Sequence, residues 1–198
     1  IRDLPSARSQ GEPLSAKVKF AVGEVPVHVL IANSNDKYLL STNKGYGFIC
    51  NGKDLQTRNR GGKALISLDS DAEIFPPLKL SSYESDLVVV ASKAGRLLIY
   101  KVGELPILSS GRGNKLISIN SSKLAVGADG IAAIAIIPEN SCLIIHCGKR
   151  VLNLTATELA DRVSSRNRSG DMLPRGFQKV DYLETVTKEP SLVDFELT

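Results

Sequence analysis

The chain has no tryptophan, one methionine, two histidines and three cysteines among its 198 residues. Each scarcity removes a class of chemistry. Without tryptophan the chain cannot carry the Trp-Asp signature of WD propeller repeats, and the paired-glycine signature of kelch units is missing as well. His28 and His146 are too few for a Ser-His-acid constellation, and neither C-x-x-C nor H-x-x-x-H spacing is present to hold zinc. Cys50, Cys142 and Cys147 are odd in number, and the five-residue offset of the last two puts them on opposite faces of a strand. They read as buried, reduced thiols. No run approaches the roughly 18 apolar residues of a membrane span, and no basic-then-apolar leader opens the sequence. The chain begins at Ile1 and its sole methionine is Met172, so it reads as a piece of a longer, cytosolic polypeptide.

What is present is a repeat. Asp3-Leu4, Asp54-Leu55, Glu104-Leu105 and Glu158-Leu159 recur with leucine spacings of 51, 50 and 54 residues. A period of this size marks stacked or radially arranged units, since one unit cannot bury its apolar face alone. Asn43–Phe48 and Ser92–Leu97 both read as strand, tight turn and return strand, with Gly148-Lys149-Arg150 as a shortened version. Gly62–Leu68 and Asn114–Ile119 alternate polar and apolar positions, which predicts strands. Short apolar runs at Leu87–Ala91, Leu97–Tyr100, Ile131–Ile137 and Leu143–Ile145 predict buried strands. Only Ala156–Val163, with Thr155 or Thr157 as cap, predicts a helix. With 42% hydrophobic residues the chain can bury one core, and about four strands per unit predict an all-β, propeller-like ring of small sheets.

The net charge is +4, which is compatible with a polyanionic partner. Its cations gather in the glycine turns that follow each acid-leucine step: Arg8 near Gly11, Arg58, Arg60 and Lys63 around Gly61-Gly62, Arg112 and Lys115 around Gly113, and Arg166 and Arg168 before Gly170. Between Leu55 and Asp69, and between Leu105 and Asp129, the sequence has cations and no acid. Arginine and lysine beside glycine approach a phosphate backbone closely, and repeating the device in each unit places cations in a curved row that suits a bent duplex. Gly111–Lys115 lacks the serine or threonine of a Walker loop, so nucleotide binding is not expected.

The stretches Gly45–Leu68 and Ala94–Ile119, with "LPSARSQGEPL" at Leu4–Leu14 and "HCGKRVLNLTATEL" at His146–Leu159, resemble the C-terminal domain of the A subunit of bacterial type IIA topoisomerases. Within that family they look more like DNA topoisomerase IV than gyrase. Gyrase's basic wrapping box is approached only by Gln56–Ala64, which interposes Thr57 and Asn59 and has Ala64 after Lys63. The departure implies the weaker bending of topoisomerase IV.

The resemblance implies a β-pinwheel of four-stranded blades that exchange strands, incomplete in this chain: a partial blade at 1–36, blades at 37–84, 85–139 and 140–184, and a polar acidic tail at 185–198. One or two blades are expected upstream, with an open edge at Ile1–Leu14. It further implies double-stranded DNA as partner and the B subunit of topoisomerase IV in the parent heterotetramer; the alternative reading is a propeller-like protein-interaction module, whose basic rim would serve an acidic protein surface such as that of a bacterial condensin. ATP and magnesium would serve the parent through other domains, with no cofactor, metal or catalytic residue here. The phosphate contacts expected are Arg58, Arg60, Lys63, Arg112, Lys115, Arg166 and Arg168, with Arg8, Lys149, Arg150 and Arg175 as a second group. The parent would be chromosome-associated, and peripheral at most to the membrane.

Overall fold

Short valine- and isoleucine-rich hairpins cannot bury both faces alone, and here they rank face to face. The computed structural model describes residues 8–69 and 71–187. β1 (Lys37–Ser41) and β2 (Tyr46–Asn51) form the first hairpin. Its outer partner is β3 (Leu78–Lys79), which pairs with β1. The second hairpin is β4 (Leu87–Ser92) and β5 (Arg96–Lys101). Alternate residues of this hairpin serve opposite neighbours. Val88, Val90, Leu98 and Tyr100 pack with Leu39 and Ile49 of the first hairpin, whereas Val89, Ala91, Leu97 and Ile99 pack with Leu143 and Ile145 beyond. Burial on both faces is why β4 is an unbroken apolar run.

The next two-residue strand, β6 (Asn114–Lys115), pairs not within its own unit but with β2. After a short helix, α1 (Ser121–Ala125), β7 (Ile131–Ile137) returns to flank β4. β8 (Ser141–Cys147) and β9 (Arg150–Leu154) form the third hairpin, followed by α2 (Ala156–Asp161). β10 (Asp171–Met172) again crosses back, to β5, and β11 (Tyr182–Thr187) flanks β8. The sheets are therefore β3-β1-β2-β6, β10-β5-β4-β7 and β11-β8-β9. This is the expected all-β pinwheel, with strand exchange written into its ladder order.

A glycine and a leucine seat each exchanged strand. Gly113 and Gly170 have φ of 77° and 75°, in the left-handed region that disfavours a Cβ. A Cβ added at Gly113 would collide with the Gly47 carbonyl oxygen, and one at Gly170 would lie 2.5 Å from that of Leu97. Three residues on, Leu116 and Leu173 are buried, and their N–H groups donate to the Gly45 and Gly95 carbonyls at 2.8 and 2.9 Å. The acid-leucine steps sit in helical turns after each hairpin, at Gly52–Leu55, Val102–Glu104 and α2, where Leu105 and Leu159 are buried plugs. Thr155 caps α2 with a full capping box: its N–H donates to Glu158 Oε2 at 2.8 Å, and the Glu158 N–H donates to its Oγ1 at 3.3 Å.

A carboxylate fixes the start of each of the first two hairpins. Asp36 Oδ2 accepts from the Asn33 N–H at 3.2 Å and the Tyr38 hydroxyl at 3.0 Å, and pairs with Lys79 Nζ at 2.9 Å. The Lys79 ammonium, with these donors, pulls the carboxyl down to about 2. Asp86 is buried and accepts from the Ser81 and Ser82 N–H groups at 2.7 and 2.9 Å.

Several expectations need correction: α1 (Ser121–Ala125) is a helix where only Ala156–Val163 was expected to form one, and of Asn114–Ile119 only Asn114–Lys115 is strand. Gly62–Leu68 is not a strand; it makes a single bridge, Ile66 to Gly111, because its side faces a loop rather than a sheet. Residues 8–36 contain no strand, only a 3-10 turn at Leu14–Ala16 beside Pro13, because no ladder partner lies alongside. Residues 1–7 of the expected open edge lie outside the described residues; among the described residues β9 has no ladder partner besides β8. Regular structure also runs past 184, since β11 continues to Thr187 on Ser141. Asp3-Leu4 and the tail from 188 onward lie outside the described residues.

Replacing Gly170 with alanine is expected to cost more than the same change at Gly62. Both have left-handed φ, worth about 1–2 kcal/mol against a Cβ, but only Gly170 abuts a carbonyl. Urea unfolding of the two variants checks the difference, and equal losses would mean that the exchanged strand is not closely seated. Asp36 stabilises the fold fully above its ordinary value of 3.8, and the contribution is lost as pH falls toward 2. Asp36→Asn should flatten the drop in melting temperature over that window, read by circular dichroism.

Candidate nucleic-acid interface

The turns that carry the cations are stitched to one another by backbone bonds. Lys19 N–H donates to the Arg60 carbonyl at 2.9 Å, and Arg60 Nη2 donates to the Ala16 carbonyl at 2.7 Å. Gly111 N–H reaches the Leu65 carbonyl at 2.8 Å, and Ser67 N–H the Gly111 carbonyl at 3.0 Å. Ser118 N–H then reaches the Arg168 carbonyl at 3.0 Å, and Arg166 Nη1 the Lys115 carbonyl. These links tie the three successive turns that carry Arg60 and Lys63, Arg112 and Lys115, and Arg166 and Arg168 into one row of turns. Arg58 lies exposed in the first of them.

The members of the row are not equivalent. Arg166 is half-buried and holds the Glu104 and Lys115 carbonyls, so it is a clamp between turns. Lys63 Nζ donates to the Asp54 carbonyl at 3.1 Å. Arg112 lies over the Tyr46 ring, 4.0 Å from its centroid, and pairs with Asp69 at 2.8 Å. Counting charges along the sequence missed that pairing, because Asp69 arrives from the neighbouring turn. The side chains of Arg58, Lys115 and Arg168 have no hydrogen bond or ion pair among the described residues. Arg168 lines a cleft of about 460 Å³ with Ser118, Ser164, Asn167 and Arg162. Arg162, at the C-cap of α2, was not anticipated; its signal was a cation at a helix C-terminus.

The second group lies apart from these links. Arg8 is exposed in irregular chain, and Lys149 and Arg150 are at the β8–β9 turn, with the Arg150 guanidinium against Gly176 beside Arg175. Nucleophiles are subdued. Burial pushes the Cys50 thiol up to about 11, raises that of Cys147, and raises the phenols of Tyr38 and Tyr100. His146 stacks on Tyr182 with centroids 4.0 Å apart and bonds Glu184 at 2.7 Å, as a sheet-face residue. Among the described residues no cluster of three metal-binding side chains occurs, and no helix is long and apolar enough to cross a membrane.

The family model described as DNA gyrase C-terminal domain, beta-propeller, matches residues 36–78 and 86–138. The E. coli ParC C-terminal domain superposes with a TM-score of 0.83 at 42% identity, covering 93% of this chain and 74% of that one. The chain belongs to this family of topoisomerase C-terminal domains. The A subunit of DNA topoisomerase 4 from Salmonella typhimurium is 43% identical over 181 residues, 91% of this chain and 24% of that protein. The chain thus spans about a quarter of the length of such relatives. A gyrase A C-terminal domain shares the fold, with a TM-score of 0.66 at 14% identity over 90% of this chain and 59% of that one. As a member of the family the chain falls on the topoisomerase IV side.

Arg166 and Arg168 should separate cleanly on substitution. Arg166→Ala is expected to lose about 1.5–3 kcal/mol, the range for hydrogen bonds to a charged group. Arg168→Ala should stay within about 0.5 kcal/mol, as exposed sites do. Urea unfolding of both reads the difference, and equal stabilities would strip Arg166 of its clamping role.

Proposed function

We propose that this chain binds duplex DNA along the row of turns and bends it, as a non-catalytic part of the A subunit of a topoisomerase IV. The observation that carries the reading is the row itself, where hydrogen bonds between successive turns tie together the segments that bear Arg58, Lys115 and Arg168. Cations carried on linked turns meet the phosphates of a bent duplex with only their side chains left to order at the moment of binding. Such contacts read charge and shape rather than bases, so binding is insensitive to sequence and falls with salt.

The proposal extends to the parent. A topoisomerase IV passes one duplex through another with ATP on its B subunit, and with magnesium and a tyrosine in its catalytic core. This domain would present crossings to that core for decatenation and supercoil relaxation during chromosome segregation. Bending weaker than gyrase's is supported by Arg60 and Lys63, two of the three cations of Gln56–Ala64, each of which commits a donor to a backbone carbonyl.

The test is binding to a fluorescent duplex of about 40 base pairs, titrated against salt, with a scrambled duplex alongside. Changing Arg58, Lys115 and Arg168 together to alanine should weaken both duplexes alike and flatten the slope of log affinity on log salt by about 2.7. An unchanged slope in a folded triple variant would remove these side chains from the interface.

A further inference from the structure

The junction between the first and second basic turns and the junction between the second and third are built alike. Ser67 N–H donates to the Gly111 carbonyl at 3.0 Å, and Ser118 N–H donates to the Arg168 carbonyl at 3.0 Å. Matching the junctions by these bonds sets Asp69, two residues beyond Ser67, in the place of Asn120, two residues beyond Ser118. Asn120 turns to its own segment, where its Oδ1 accepts from the Ser122 and Lys123 N–H groups at 2.9 and 3.3 Å and caps α1. Asp69 reaches across the junction instead, accepting from Arg112 Nη2 at 2.8 Å. Since the second junction closes without an acid, linking the turns does not require one, and the carboxylate of Asp69 calls for another reason.

That reason lies in the cation it holds. Arg112 stands over the Tyr46 ring, and Tyr46 is directly opposite Lys115 in the β2–β6 ladder. Opposed residues share a face of the sheet, so Arg112 and Lys115 flank one aromatic ring. Lys115 has no hydrogen bond or ion pair among the described residues, whereas Arg112 carries a carboxylate. The two side chains of the pair are 48% and 45% exposed, so an anion from outside can reach the guanidinium. Carboxylate and phosphodiester compete for the same guanidinium donors. Asp69 is tethered beside Arg112 and outcompetes a phosphate that arrives alone. A phosphate delivered by a duplex already seated on Lys115 is tethered as well, and competes on more even terms.

We propose that Asp69 is a built-in competitor for the DNA backbone, which withholds Arg112 until a duplex is already seated at Lys115. The inference rests on the DNA reading and adds to it the residue that sets how much of the row a duplex engages. Arg58, Lys115 and Arg168 are available at first contact, and Arg112 joins them only by exchanging Asp69 for a phosphate. The acid weakens binding at one junction, while the neutral Asn120 leaves Arg168 unopposed at the next.

The test compares wild type, Asp69→Asn, Arg112→Ala and the double variant for binding to the fluorescent duplex of about 40 base pairs, titrated against salt. Asp69→Asn installs the residue that the second junction already has; both positions are exposed, and circular dichroism confirms folding. It should bind about two- to fivefold more tightly than wild type, the range of one exposed ion pair. Its slope of log affinity on log salt should steepen by about 0.9 at most, the share of one phosphate. The double variant should bind no better than Arg112→Ala alone. Asp71→Asn removes the same charge two residues away, from a pair with Lys44, and should leave the slope as in wild type. Unchanged affinity in Asp69→Asn would overturn the proposal. So would a gain that survives Arg112→Ala or is matched by Asp71→Asn, because either marks a general effect of net charge. Failure of wild type and every variant to bind the duplex would instead overturn the DNA reading, and this inference with it.

Discussion

Everything in this molecule hangs on the contact of two glycines with the carbonyls of a neighbouring blade. A two-residue strand is far too short to hold its place by ladder bonds alone. Gly113 and Gly170 let the backbone come in where a Cβ would collide, and Leu116 and Leu173 then lock it by burial. Each blade is thereby finished by its successor, and the two faces of β4 and β5 are closed by hairpins on either side. No blade is a folding unit in its own right, so its stability depends on its neighbours as in other repeat architectures.

The same exchange orders the surface. Because the segment that crosses back is also the basic turn, seating one strand sets one turn against the next. Within the row, the cations divide by what they touch. Arg166 bridges turns through carbonyls, and Arg112 is held by Tyr46 and Asp69, so these side chains shape the support. Arg58, Lys115 and Arg168 have no such duty among the described residues, which leaves their charge available to an anion. Exposed ion pairs are worth little to stability, so the fold would lose little on breaking the Arg112–Asp69 pair.

The repeat was legible because leucines that plug the same hole must recur at the same interval, and Leu105 and Leu159 do so. The strands β4, β5, β7 and β8 were legible because burial on one or both faces leaves a compositional trace. Gly62–Leu68 misled for the converse reason, as alternation at period two describes a surface facing a loop as well as one facing a strand. The G-x-x-L seat escaped notice, since a glycine's left-handed φ and its carbonyl neighbour are invisible until the other blade is in place. Site residues were found as a set and not as roles. Sequence tells that Arg112 is basic, but Asp69 reaches it only through packing of adjacent turns, and Arg162 enters the Arg168 cleft only through the end of α2.

The stack has unlike ends, and the difference is one of chemistry. On the outward face of the first blade, Tyr38, Leu40, Phe48 and Cys50 pack with Leu55, Leu65 and Ile66, beside an apolar cleft of about 670 Å³ bordered by Val25, Val27 and Leu30. The outward face of the third blade instead carries His146 under Tyr182 with Glu184 bonded to its ring. Among the described residues β9 has no ladder partner besides β8, and its backbone groups point along the sheet and not out of it. Face and edge are thus separate problems, the first answered by side chains within the blade and the second by whatever meets the backbone, be it water, a side chain or a strand.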